Sequence, residues 1–140
     1  MGQLLAGPFC GQLLADFGAE VIKLEAPGEG DPMREWGREK TKGHSPWFPV
    51  LARNKKSVTL NAREPDGQEL IRKLVAKSDI LIENFRPGTM ERWGLGYDAL
   101  ARINPRLIMV RVSGYGQTGP YAGRAGYGAI GEAMGGLRHV

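Results

Sequence analysis

One cysteine and two histidines in 140 residues leave little from which to build a disulfide or a metal centre. Cys10 has no partner in the chain, and no Cys/His spacing fits zinc, so a reducing compartment is the expectation. A dominant charge is missing too: 19 Lys and Arg stand against 15 Asp and Glu, for a net charge of +4. The excess would suit an anionic ligand, but the basic residues are scattered among acidic ones instead of gathered on one helix. No nucleic-acid surface is expected. No apolar run reaches the roughly 18 residues that read as a membrane-spanning helix, and Met1–Phe9 lacks the basic stretch and length of a signal peptide. The expected setting is cytoplasmic, with neither nucleic acid nor membrane as partner.

What the chain has in quantity is glycine, 21 residues, with 41% apolar and 24% charged residues, a composition suited to one globular domain. The glycines crowd the segment "SGYGQTGPY", Ser113–Tyr121, directly after the apolar run Leu107–Val112. Gly114, Gly116 and Gly119 give this loop a backbone able to take positive φ or to approach a ligand closely.

Periodicity predicts alternating helices and strands. Phe9–Phe17 reads as a helix, with Pro8 suited to its first turn and Gly18 to its end; Glu20–Glu25 follows as a strand. Ala26–Pro46 reads as a long surface loop with one short helix at most. Ser57–Asn61 is a second strand, and Pro65–Lys77 is amphipathic, with Leu70, Ile71, Leu74 and Val75 on one face. Asp79–Asn84 and Leu107–Val112 have the apolar centres of buried parallel strands. Short helices are expected over Thr89–Trp93 and Asp98–Ile103, and a glycine-weakened one over Tyr127–Leu137. The fold class is therefore α/β: a Rossmann-like parallel sheet with flanking helices. Ligands on such sheets bind beyond the carboxyl ends of the strands. Those ends, near Glu25, Asn61, Asn84 and Ser113, are expected to rim one crevice.

Five blocks carry a more specific signal: "AGPFCGQLLADFGAEVIKLEAPGEGDPMREWG", "RNKKSVTLN", "DILIENFRPGTMERWGLGYDAL", "NPRLIMVRVSGYGQTGPY" and "RAGY". In order and spacing the chain resembles the N-terminal part of the family III CoA-transferases, the family of formyl-CoA transferase, succinyl-CoA:glutarate CoA-transferase and α-methylacyl-CoA racemase. The resemblance implies that coenzyme A or acyl-CoA is a substrate, with no permanently bound cofactor. It also implies a small, dicarboxylic acceptor acid and an interlocked homodimer in full-length relatives.

It implies site residues as well. Leu60 and Arg63 would lie beside the adenine and 3′-phosphate, Asn84 and Phe85 beside the pantetheine arm, Arg92 at the phosphates, and Tyr127 at the active site. Arg53, Lys55, Lys56 and Arg86 add positive charge; for Lys55 and Lys56 a solvated face is an equal reading. Asp16, Glu20 and Glu25 read as flanking charges, since nothing in the sequence pairs them. The family's nucleophilic aspartate is expected beyond Val140, and Gly128 stands where relatives usually carry Asp or Glu. The expectation is an N-terminal portion, residues 1–140, of a large domain with its first strand shortened or missing and its C-terminal half absent. By itself it would be inactive. The alternatives are the racemase branch of the family and a non-catalytic CoA- or nucleotide-binding module.

Overall fold

A computed structural model describes residues 1–139. In chain order the elements are α1 (Ala6–Asp16), β1 (Val21–Glu25), a 3-10 turn (Pro32–Glu35), α2 (Trp47–Ala52), β2 (Lys55–Thr59) and α3 (Pro65–Val75). They continue with β3 (Ile80–Glu83), α4 (Thr89–Arg92), α5 (Tyr97–Ile103), β4 (Ile108–Arg111) and α6 (Gly128–Met134). The α/β alternation and the parallel strands are as expected. The sheet, however, comes as two parallel pairs, β1 with β2 and β3 with β4, and no third strand joins them among the described residues. In the first pair Val21 lies opposite Lys55 and Glu25 opposite Thr59; in the second, Ile80 lies opposite Ile108 and Glu83 opposite Arg111.

Local chemistry explains the element ends. Helix α1 stops because Gly18 takes φ 98°, which lets its N–H reach Ala15 O and the Ala19 N–H reach Leu14 O, so two otherwise orphaned carbonyls are satisfied. Helix α3 has Pro65 in its first turn with Asp66, and Arg72 and Lys73 in its last, matching both the orphan N–H groups and the helix dipole.

The main core lies between α3, α4, α5 and the second strand pair. Ile71, Met90, Leu95 and Leu100 are fully buried there, joined by Val75, Leu81 and Leu107. Helix α1 is turned the other way. Its small residues Gly7, Gly11 and Ala15 face inward, while Leu5, Phe9, Leu13 and Phe17, at four-residue spacing, are exposed.

The first four residues tie the two halves together. The Met1 amine donates to Ile82 O at 2.9 Å, Gln3 N donates to Asn84 Oδ1 at 2.7 Å, and Asn84 Nδ2 donates back to Gln3 O at 2.9 Å. On the other side Leu4 N donates to Asp31 Oδ1 at 3.0 Å, and Lys23 Nζ donates to Gly2 O at 3.3 Å and to Asp31 Oδ2 at 2.5 Å. Asn84 directly follows β3 and Asp31 lies in the segment after β1, while Lys23 is in the middle of β1, so the bridge reaches from the centre of β1 toward the expected ligand-binding rim.

Candidate functional site

The residues singled out in the sequence fall on the loops that leave the strands. Leu60 follows β2, half-buried, with its N–H on Glu25 O at 2.9 Å. Arg63 is exposed in the turn ahead of α3, held through its backbone by Asn61 Oδ1. Asn84 and Phe85 follow β3. Asn84 is spent on Gln3, as above, and Phe85 N donates to Glu83 Oε2 at 2.7 Å while its ring meets Trp93 edge-on at 5.2 Å. Leu60 and Phe85 both pack against the main core, so these two are anchored. Arg92 is exposed at the end of α4, its guanidinium donating to Thr89 Oγ1 at 2.9 Å. Tyr127 stands at the start of α6, 67% exposed, and no hydrogen bond or ring contact joins it to the other five among the described residues.

The structure separates the basic residues into two groups. Arg53 is forked onto Asp16, whose carboxyl is held below its ordinary range chiefly by that hydrogen bond. Lys56 pairs with Glu20 at 2.9 Å. Lys55 donates to the carbonyls of Pro8 and Leu51, and burial, helped by Lys23, lowers its ammonium to about 8. All three are therefore engaged within the chain: Arg53 ties the end of α2 to α1, Lys55 ties β2 to α1 and α2, and Lys56 ties β2 to Glu20 ahead of β1. Arg63, in the turn after β2, Arg86, shortly after β3, and Arg92, at the end of α4, have no carboxylate partner among the described residues. Asp16, Glu20 and Glu25 do have partners, which the sequence had not shown.

Two carboxylates at strand ends are buried: Glu83, which sequence reasoning did not single out, and Glu25, which it read only as a flanking charge. Glu83, 1% exposed, accepts from Phe85 N and from Arg111 Nε at 2.9 Å. Arg111 also reaches both oxygens of Glu91, at 2.7 and 3.2 Å, and this fork holds the Glu91 carboxyl below its usual range. Arg111 thus fastens the end of β4 to α4, the helix that carries Arg92. On the other pair, Glu25 accepts from both Arg34 Nε and Nη2, from Asp31 N and from Ser57 Oγ.

The glycine-rich loop packs on itself. Gly116 and Gly119 take φ 79° and 94°, as their type allows. Gly114 serves close approach: a Cβ there would lie 2.2 Å from Gly126 Cα, and one at Gly126 would lie 2.3 Å from Gly114 Cα. Between these crossing points the Tyr115 and Tyr121 rings meet edge-on at 5.6 Å, and the Arg124 guanidinium lies 4.3 Å over the Tyr121 ring. Gly126→Ala should therefore open the loop while leaving the thermal transition within a few degrees, because the segment is largely exposed. Near-ultraviolet circular dichroism and limited trypsin cleavage at Arg124 would report it. Unchanged cleavage would contradict the crossing.

The chain is thus an α/β structure of helices and parallel strands in which Arg63, Arg86 and Arg92 have no carboxylate partner among the described residues. The profile of CoA-transferase family III matches residues 1–140. The chain belongs to that family. It is 66% identical, over its whole length, to succinyl-CoA–D-citramalate CoA-transferase of Chloroflexus aurantiacus, and covers 35% of that protein. It is 46% identical over 138 residues to succinyl-CoA:glutarate CoA-transferase of Mus musculus, covering 32% of it. Among solved structures a CAIB/BAIF family protein from Brucella suis superimposes with a TM-score of 0.91 at 45% identity, over 98% of this chain and 37% of that one. The chain thus spans about a third of the length of the relatives it matches.

Proposed function

We propose that this chain forms the CoA-binding portion of a CoA-transferase that moves CoA from an acyl-CoA donor to a small dicarboxylic acid. The family match along the whole chain, with relatives named as succinyl-CoA transferases, supports the reaction class. The observation that supports the binding role is the partition of cations: Arg63 and Arg86 after β2 and β3, and Arg92 at the end of α4, have no carboxylate partner among the described residues, while Leu60 and Phe85, just after β2 and β3, give anchored apolar surface. CoA presents a 3′-phosphate, a pyrophosphate and an apolar arm, and such a rim meets each kind of group. CoA enters as substrate and leaves as product, with no resident cofactor.

The chemistry proposed is covalent. An aspartate carboxylate beyond Val140 attacks the donor thioester; the C–S bond breaks, CoA thiolate leaves and a mixed anhydride forms. The thiolate then attacks the aspartyl carbonyl, releasing the donor acid and leaving an aspartyl-CoA thioester. The acceptor carboxylate attacks that thioester in turn, and the returning thiolate gives the new acyl-CoA and frees the aspartate. Each step retains an activated acyl group, provided water is kept out. On this reading the 140 residues alone bind CoA and do not transfer it. Exchange of labelled succinate into succinyl-CoA above the uncatalysed rate would overturn that.

The phosphate assignment has its own test. The chain should bind CoA more tightly than dephospho-CoA, and Arg63→Ala should shrink that preference, since one charge-assisted contact contributes about 1.5–3 kcal/mol, roughly tenfold or more in affinity. Equal calorimetric affinity for the two ligands in the unsubstituted chain would return Arg63 to the solvated surface. The full-length protein is proposed to act as a homodimer, a state in which the exposed row Leu5, Phe9, Leu13 and Phe17 would be covered.

A further inference from the structure

Helix α4 is a single turn of four residues that ends on Arg92, and no side chain caps its start, where Gly88 takes φ 82°. A helix this short does not hold itself in water, so its orientation is set by what it packs against. Met90, fully buried, and half-buried Trp93 at its end are packed on the main core and pin one face. Two anchors three positions apart define a line along the helix, and the turn stays free to roll about that line. Arg92 lies between them at the end of a long side chain, where a small roll becomes a large displacement of the guanidinium.

The restraint off that line is Glu91. Both of its oxygens accept from Arg111, at 2.7 Å from Nη1 and 3.2 Å from Nη2, while Arg111 Nε donates to Glu83 Oε1 at 2.9 Å. Arg111 is the last residue of β4 and stands opposite Glu83, the last of β3, so the guanidinium is held by parallel register and not by a loop. Glu91 has a fitted seat as well: a Cβ at Gly96 would stand 3.0 Å from its Cγ and 3.2 Å from Oε1, tighter than ordinary packing. A two-pronged fork of this kind fixes direction as well as distance. Stability alone does not call for it, because Glu91 is about half exposed and ion pairs with an exposed partner contribute little.

We propose, resting on the CoA-binding reading above, that the Arg111–Glu91 fork is a positioning device for the phosphate site: it fixes the roll of α4 and so aims Arg92 at the pyrophosphate of CoA. Neither Arg111 nor Glu91 touches the ligand. The sign of the charge makes the role testable. Glu91 is an anion beside the arginine that receives an anion, so by charge alone its removal would tighten phosphate binding. As a positioning residue, its removal weakens that binding.

Calorimetric titrations with CoA and with dephospho-CoA are made on the full-length protein and on its Glu91→Ala, Arg92→Ala and doubly substituted forms. Glu91→Ala is expected to weaken both ligands about tenfold and to leave the preference for CoA over dephospho-CoA unchanged, because Arg63 lies on the turn after β2, which the fork does not touch. In the Arg92→Ala protein the same substitution should change affinity by less than about twofold, since nothing is left for it to aim. Glu91→Gln, which keeps one acceptor oxygen without the charge, should fall between wild type and alanine. Should Glu91→Ala fail to fold, weaker CoA binding by Glu91→Gln supports the fork and unchanged binding overturns it. Unchanged or tighter binding in Glu91→Ala, or an equal loss with and without Arg92, would overturn the positioning role while CoA binding stands. An unsubstituted protein that binds no CoA would overturn the CoA-binding reading itself, and the positioning role with it.

Discussion

Asp31→Ala is expected to destabilise the chain by about 3–5 kcal/mol, enough to remove much of the cooperative thermal transition in a protein of this size. Asp31 is 2% exposed and answers three donors: Lys23 Nζ at 2.5 Å, Leu4 N at 3.0 Å and Met33 N at 2.9 Å. The Met33 bond caps the 3-10 turn, the Leu4 bond holds the N-terminal segment, and the lysine bond compensates a charge that is itself buried. Removing the carboxylate leaves the Lys23 ammonium with Gly2 O as its remaining acceptor. An uncompensated buried charge is the dominant loss, larger than the two backbone bonds at about 1 kcal/mol each. Two comparisons separate these contributions by urea denaturation. Asp31→Asn keeps a capping oxygen without the charge and should fall between wild type and alanine. The pair Lys23→Met with Asp31→Leu removes both charges and should be less destabilised than Asp31→Ala alone. A double variant no more stable than Asp31→Ala would show that the uncompensated Lys23 charge is not the dominant loss.

How far the sequence reached depended on whether the determining contacts were local. Helix α3 was legible because its start, its apolar face and its basic end all lie within one stretch, Pro65–Lys77. The α1 terminus at Gly18 was equally local. Helix α2, Trp47–Ala52, was not assigned because six residues with Pro49 among them carry no period, and burial of Leu51 against neighbours distant in the chain holds it. Strand β2 begins at Lys55 rather than Ser57 because Lys55 and Lys56 find acceptors at Pro8, Leu51 and Glu20. Read alone, two adjacent lysines look like loop. The carboxylate networks were illegible for the same reason: Glu83 meets Arg111 because parallel register sets them opposite each other, across 28 positions of sequence. At the candidate site, the resemblance named Arg63 and Arg92 as phosphate contacts, but it could not tell that Arg53, Lys55 and Lys56 were already engaged. That distinction is made by tertiary pairing.

Acid should weaken the fold through Glu25 in particular. Burial by itself would raise the Glu25 carboxyl, yet the Arg34 fork, the Asp31 N–H, the Ser57 hydroxyl and the nearby Lys23 charge outweigh it and bring the value from 4.5 down to about 2. A carboxyl with a folded pKa below its unfolded one binds fewer protons in the native state, so it stabilises the fold fully above about 4.5 and progressively less as pH falls toward 2. The side chain is 2% exposed, so the shift is not a surface effect that solvent would screen. Its contribution at neutral pH is about 3 kcal/mol at most. The other lowered carboxylates add little, because Asp16 and Glu20 sit in exposed ion pairs. Urea denaturation at a series of pH values should therefore show stability falling between about 4.5 and 2. In Glu25→Gln the curve should be flatter over that interval and the protein less stable at pH 7, where the Arg34 guanidinium loses its charged partner. If the substituted protein keeps the same acid slope, the proton uptake that drives acid unfolding occurs elsewhere, and the Arg34–Glu25 fork is not what secures the loop between β1 and the 3-10 turn.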